Sequence, residues 1–176
     1  YDNFGKLTKI NDGKDHYINF NYSTENNSCL QSIVTSRGRA VTYSYQTSDN
    51  GSYINKLLKF VGFYDEEENL YKSLSFEYNQ CSVDGIPTYS ISEVACSDKT
   101  KTVMEYAQNS LFEYSLSKIK NYSQKPDSTD EEYVEVSSLT FDYNNEALMT
   151  EIIDKDFNSE RYLFDENGVK KEYYQI

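Results

Sequence analysis

The sequence predicts an all-β chain in which stacked antiparallel β-hairpins form one continuous twisted sheet, with little helix. Three observations lead there. Aromatic residues recur two apart, at Phe20/Tyr22, Tyr43/Tyr45, Phe76/Tyr78, Phe112/Tyr114, Phe141/Tyr143 and Tyr162/Phe164, and residues two apart share one face of a strand. Between such dyads lie short stretches rich in Asp, Asn, Ser and Gly, which make turns through side-chain bonding and tolerance of positive φ. The spacing of these elements also repeats, which points to a repeat architecture.

The repeat is apolar-x-x-Ile-x9-aromatic-x-aromatic. It occurs as Leu7/Ile10 with Phe20/Tyr22, as Leu30/Ile33 with Tyr43/Tyr45, and as Met149/Ile152 with Tyr162/Phe164. The clearest units are therefore 1–22, 22–45 and 143–164, within a single β-repeat domain spanning 1–176. In each, a turn-rich link separates the isoleucine from the dyad: "NDGKD" (11–15), "TSRGR" (35–39) and "DKDFN" (154–158). Each unit reads as strand, turn, strand. A lone hairpin is marginal in water, so neighbouring units must associate to cover their aromatic faces.

Between 46 and 140 the pattern loosens but its vocabulary persists. Leu57/Phe60 and Leu116/Ile119 keep the three-residue apolar spacing. Asn50-Gly51 and Asn167-Gly168 predict two-residue hairpin turns, where both central residues take positive φ. "DEEEN" (65–69) and the polar stretch 123–132 read as solvated insertions. "TVMEYAQNSLFEY" (102–114) admits a helix, but the alternation in its second half favours strand.

Composition narrows the function. The 176 residues include 18 Tyr and 9 Phe but no Trp; such aromatic content is foreign to disordered chains and suits a half-wet pleated surface. The net charge of −12 argues against nucleic-acid binding, which needs cations to displace phosphate counterions, and against docking on anionic lipid. No apolar run approaches the ~18 residues of a membrane span. No signal peptide is visible, and the chain opens on Tyr1 in mid-pattern, as a mature fragment or a segment of something longer would. Cys29, Cys81 and Cys96 are an odd set without a CxxC pair. They lack the spacing and histidines of a zinc site, while Cys81 and Cys96 can bridge a hairpin if they fall opposite one another.

Candidate chemistry is sparse, and no catalytic, cofactor-binding or metal residue is assigned. His16, the sole histidine, would have to serve any Ser-His-Asp or Cys-His arrangement, and no nucleophile elbow accompanies it; it reads as a strand-end histidine. "DKDFNSERYLFD" (154–165) places Asp154, Asp156, Asn158 and Asp165 at calcium-loop positions 1, 3, 5 and 12. Ser159 stands where the turn glycine belongs and no helix flanks the segment, so it reads as the third repeat's own turn and strand rather than a calcium loop. The acidic clusters 65–68 and 130–132 read as solvated loops rather than acid/base pairs. Exposed tyrosines in a row would suit sugar or protein ligands, whereas tyrosines paired across strands would only hold hairpins together.

"YDNFGKLTKI" (1–10), "LQSIVTSRGRAVTYSY" (30–45) and "RYLFDENGVKKEYY" (161–174) resemble the YD repeats of the Rhs-type family. A copy in that family runs Tyr-Asp, a glycine, apolar-x-x-Ile, a second turn glycine and another aromatic pair. The match covers about half the chain, and "YDxxG" is clean at 1–5, with "FDENG" (164–168) a near copy. Members are large secreted or cell-surface bacterial proteins, and similar units occur in short bacterial lipoproteins. Some members enclose a toxin in a β-shell, for which this chain is too short. The family's self-cleaving Asp-Pro segment has no counterpart, since neither Pro87 nor Pro126 follows an Asp. The resemblance transfers no active residue.

The resulting expectation is a non-enzymatic, extracellular scaffold or adhesion segment of a larger bacterial surface or secreted protein, without cofactor. Its partners would be neighbouring repeats of the same chain and a glycan or protein ligand at the cell surface. Two alternatives are a small carbohydrate- or peptide-binding module using exposed tyrosines, and a hydrolase using two carboxylates, one with a raised pKa.

Overall fold

The computed structural model describes residues 1–24, 29–49, 54–83, 86–107, 114–126, 132–144 and 147–176. Among them the chain forms no helix and thirteen strands: β1 (Lys9–Asn11), β2 (Tyr17–Tyr22), β3 (Leu30–Thr35), β4 (Ala40–Asp49), β5 (Ile54–Tyr64), β6 (Leu70–Val83), β7 (Ile86–Cys96), β8 (Thr100–Ala107), β9 (Ser115–Gln124), β10 (Tyr133–Asn144), β11 (Met149–Asp154), β12 (Ser159–Phe164) and β13 (Lys170–Gln175). They lie in one antiparallel sheet whose hydrogen-bonded order is the order of the chain. The opening unit is the β1–β2 hairpin, the second is β3–β4, and the C-terminal one is β11–β12. Residues 102–107, where a helix was admissible, belong to β8; 108–113 lie outside the described residues, as does Asn50-Gly51.

Contacts divide the strands into two units. The first comprises Tyr1–Phe76 with Cys96–Asp98. In it, Ser97 docks on β6: its backbone N–H donates to Ser73 O (3.0 Å) and its Oγ accepts from Ser73 N–H (2.8 Å). Val61 of β5 is the one buried hydrophobic side chain among the described residues, at 6 % exposure. Beside it Gly62 is required for space. A Cβ there would lie 2.8 Å from the Tyr64 ring and 3.0 Å from the Phe60 ring, so the flanking aromatics close over the bare backbone.

The second unit comprises Glu77–Ala95 with Lys99–Ile176. One face of β8 and β9 carries charge pairs, Lys101 with Glu93 (3.1 Å) and Lys120 with Glu105. On the other face the Asn121 amide bridges three strands, accepting from Thr102 Oγ1 (2.8 Å) and donating to Ser137 Oγ (3.0 Å). Among the described residues no second layer of strands or helices covers the sheet in either unit. Its cohesion rests on ladder bonds and on side-chain rows within each face.

Beta-bulges explain the three-residue apolar spacing. In a regular strand, residues three apart point to opposite faces. Here Tyr22 pairs with Leu30 while Phe20 pairs with Ile33, so Gln31 is an extra residue and Leu30 and Ile33 share the face of the dyad. The same step recurs where Tyr45 meets Leu58 and Tyr43 meets Val61, and where Tyr106 meets Leu116 and Met104 meets Ile119. Phe164 meets Lys170 and Tyr162 meets Tyr173 in the last hairpin. At Tyr22, Tyr45 and Tyr106 the bulge thus brings the next strand's apolar pair to the face of the tyrosine; further bulges lie at Glu135/Ser137 and Phe63/Tyr64, away from the dyads. The pair facing Tyr43/Tyr45 is Leu58/Val61, one residue later than the Leu57/Phe60 pair of the sequence reading.

Candidate functional site

The most regular constellation in the molecule is a tyrosine clasp at each of four hairpins. The Tyr22 hydroxyl donates to Leu7 O (3.0 Å), Tyr45 to Leu30 O (2.9 Å), Tyr106 to Ile91 O (2.9 Å) and Tyr143 to Leu116 O (2.8 Å). In the first three, donor and acceptor are 15 residues apart; in the fourth the separation is 27, because β9, β10 and the link between them are all longer. For Leu30 and Leu116 the accepting carbonyl belongs to the residue just before a bulge, where the ladder is interrupted, and the phenol supplies the missing donor. Burial holds the Tyr45, Tyr106 and Tyr143 phenols above their usual pKa, and Tyr78 likewise.

The second recurring device is an aspartate turn. At Asp2, Asp65, Asp154 and Asp165 the backbone N–H donates to the carbonyl four residues on, at 2.9 to 3.1 Å, closing a five-residue loop. In each, the aspartate Oδ1 accepts the N–H groups two and four residues ahead: Phe4 and Lys6, Glu67 and Asn69, Asp156 and Asn158, Asn167 and Val169. The fourth residue takes positive φ, at Gly5 (80°), Glu68 (64°), Phe157 (66°) and Gly168 (76°). These bonds favour the charged carboxylate and hold all four below the ordinary aspartate pKa. The leading cause is the backbone N–H of Lys6, Asn69 and Val169 for Asp2, Asp65 and Asp165, and the Asn158 side chain for Asp154.

Two sequence expectations change accordingly. "DEEEN" is the β5–β6 turn itself rather than an insertion. Asn167-Gly168 is not a two-residue turn: only Gly168 has positive φ, and the loop runs from Asp165 to Val169.

The calcium reading fails on geometry. Asp154 and Asp165 organise two different turns, and the extended six-residue β12 between them spans about 20 Å. Among the described residues no group of three or more His, Cys, Asp or Glu side chains gathers to hold a metal. His16 does meet a carboxylate, with Nδ1 2.9 Å from Asp12 Oδ2. No hydroxyl bonds its ring among the described residues, so the pair has an orienting acid without a nucleophile.

All three cysteines are free, and no Cys81–Cys96 bridge forms; Cys81 Sγ instead lies 3.5 Å from Thr88 O. Of the acidic clusters, Glu66 pairs with Arg39 (3.2 Å) and Glu132 with Lys125 (3.4 Å), while residues 130 and 131 lie outside the described residues. The carboxylates that depart from their ordinary pKa (Asp2, Asp12, Asp65, Glu151, Asp154 and Asp165) are all lowered. A general acid needs the opposite shift.

The tyrosines divide between the two predicted uses. Besides the clasps, Tyr106 stacks on Tyr114 at 5.4 Å and Tyr162 meets Tyr173 in a tilted contact at 5.2 Å, whereas Tyr71 and Tyr174 are exposed. The sequence reading missed the unit Ile91, Val94, Met104, Tyr106, which keeps the template with methionine in place of the first aromatic. It also missed the link between Leu116/Ile119 and Phe141/Tyr143, hidden by the longer connection. An apolar residue followed 15 positions later by Tyr is the signal that finds the first of these.

No protein-family model matches the chain, and no curated protein matches it. Among solved structures, the Photorhabdus luminescens Tc holotoxin pore with a TccC3 mutation is similar with a TM-score of 0.46 at 9 % identity, over 91 % of this chain and 13 % of that one. A TcdB2–TccC3 crystal structure is similar with a TM-score of 0.28 at 14 % identity, over 92 % and 9 %. The chain therefore spans a small fraction of the structures it matches.

Proposed function

We propose that this chain is a non-enzymatic, YD-repeat-type scaffold or adhesion segment of a larger bacterial surface or secreted protein. The observation that carries the reading is where the conspicuous chemistry goes. Tyr22, Tyr45 and Tyr143 of the dyads, and Tyr106, donate to backbone carbonyls, and the turn aspartates accept backbone N–H groups, so both residue types that mark the repeat serve to hold hairpins in register. Exposed side chains such as Tyr71, Val134 and Val136 are left for display. Glycan or protein ligands at the cell surface would then be met by the exposed side chains rather than by the dyads.

The test is to locate the natural protein with an antibody against this domain, in fractionated source cells and after protease shaving of intact cells. The reading expects a surface-associated or secreted band that shaving removes. A protected cytoplasmic band would overturn it.

A further inference from the structure

We propose that the groove between the β1–β2 and β3–β4 turns binds a small organic carboxylate, holding its oxygens at Arg37 and Arg39 and its hydrocarbon body on Ile10 and Ile18. The groove has a volume of about 360 Å³, within the range of small-molecule sites and toward its lower end. It lies in the first unit, where β2 and β3 run side by side: Ile18 pairs with Thr35, and the Ser36 N–H donates to Tyr17 O at 2.9 Å. The floor is apolar, because Ile10 and Ile18 face one another across β1 and β2. Ile10 is left 49 % exposed, so a ligand with a hydrocarbon face removes that surface from water.

The charge of the rim sets the ligand class. The chain has three arginines and a net charge of −12, yet Arg37 and Arg39 both line this groove. Among the described residues no carboxylate pairs with Arg37, while Glu66 engages Arg39 at Nε (3.2 Å). Guanidinium groups hold carboxylates bidentately. The repeat explains the asymmetry: His16 and Arg39 are equivalent positions in consecutive units, as are Asp12 and Thr35. The second turn thus carries the cation without the carboxylate. Asp12 in the first turn, which also lines the groove, is already engaged by His16 (2.9 Å) and by the Lys14 N–H (2.8 Å). The Tyr17 ring already carries the Lys9 ammonium, 4.4 Å from its centroid, so the contact offered to the ligand body is aliphatic rather than aromatic.

The source of the carboxylate, an alkyl acid or a sugar acid, is separated by the probes. Amide chemical shifts of the whole chain would be followed by NMR during titration with hexanoate, with glucuronate and with inorganic phosphate, and with hexanol and glucose as uncharged counterparts. The proposal expects saturable shifts confined to residues 10–18 and 35–39 with at least one of the two carboxylates, and none with hexanol or glucose. Hexanoate alone identifies an alkyl acid, and glucuronate alone a sugar acid. Arg37→Gln, an exposed substitution, should weaken binding at least about tenfold, while Arg161→Gln should leave it unchanged. Absence of saturable shifts with both acids, equal binding of phosphate, or full binding by Arg37→Gln would each overturn the proposal.

Discussion

At the scale of single residues, the account assigns energy to one oxygen per clasp and one carboxylate per turn. Phe164 stands where a clasp tyrosine stands in other units, 15 residues after Met149. Phe164→Tyr is therefore expected to gain up to about 1 kcal/mol in urea unfolding if its hydroxyl reaches the Met149 carbonyl as the clasp tyrosines reach theirs. The aspartates set the acid limit. Their folded pKa values lie below the ordinary 3.8. Their contribution is thus complete above that value and is lost as the pH falls through the depressed folded values. Thermal unfolding midpoints should drop steeply below about pH 4. Asp65→Asn with Asp165→Asn keeps an acceptor oxygen in each turn and should flatten that drop. The half-buried phenols work in the opposite sense. Their raised pKa gives stability that is whole below 10.0 and lost at higher pH, so unfolding should be promoted above pH 10, followed by tyrosinate absorbance.

At the scale of the hairpin, the turn dictates which residue type suits its fourth position. Gly5 and Gly168 occupy it without strain, whereas Glu68 and Phe157 hold the same left-handed conformation with a side chain. Phe157 is 87 % exposed and contributes little packing, so Phe157→Gly should raise stability by about 0.5–1 kcal/mol, read from the urea midpoint. Gly62→Ala should do the reverse, by about 1–3 kcal/mol, because the added methyl meets the Phe60 and Tyr64 rings. Much of this level was legible beforehand. Dyads, turn-rich links and the 23-residue offset between Leu7 and Leu30 identified the outer hairpins, because periodicity survives in a single sequence. The bulges were not legible. A bulge is an interruption of pairing, visible only when both strands are in place, and this is why Leu57/Phe60 were read one residue early. The αL residues Glu68 and Phe157 were hidden for a related reason: tertiary pairing imposes the turn on residues that do not advertise it.

At the scale of the molecule, the sequence showed the repeat class but not its reach. Met104 in place of an aromatic, and the long link before Tyr143, concealed two units that the sheet restores to the series. At the candidate residues, the pairing of His16 with Asp12 across a five-residue turn was not legible from spacing alone, whereas the turn and strand read at 154–165 are those of the β11–β12 hairpin. What remains is a sheet with one buried apolar side chain among the described residues, whose stability in a repeat architecture is a sum of unit and neighbour terms. The clasps are the neighbour terms that can be removed one atom at a time. The measurement that tests this most directly is urea unfolding of Tyr22→Phe, Tyr45→Phe, Tyr106→Phe and Tyr143→Phe beside the exposed control Tyr71→Phe. The account predicts a loss of about 1 kcal/mol for each clasp variant, as expected when an acceptor loses its donor, and no loss for the control. Four clasp variants as stable as the control would contradict the claim that these tyrosines hold the repeats together.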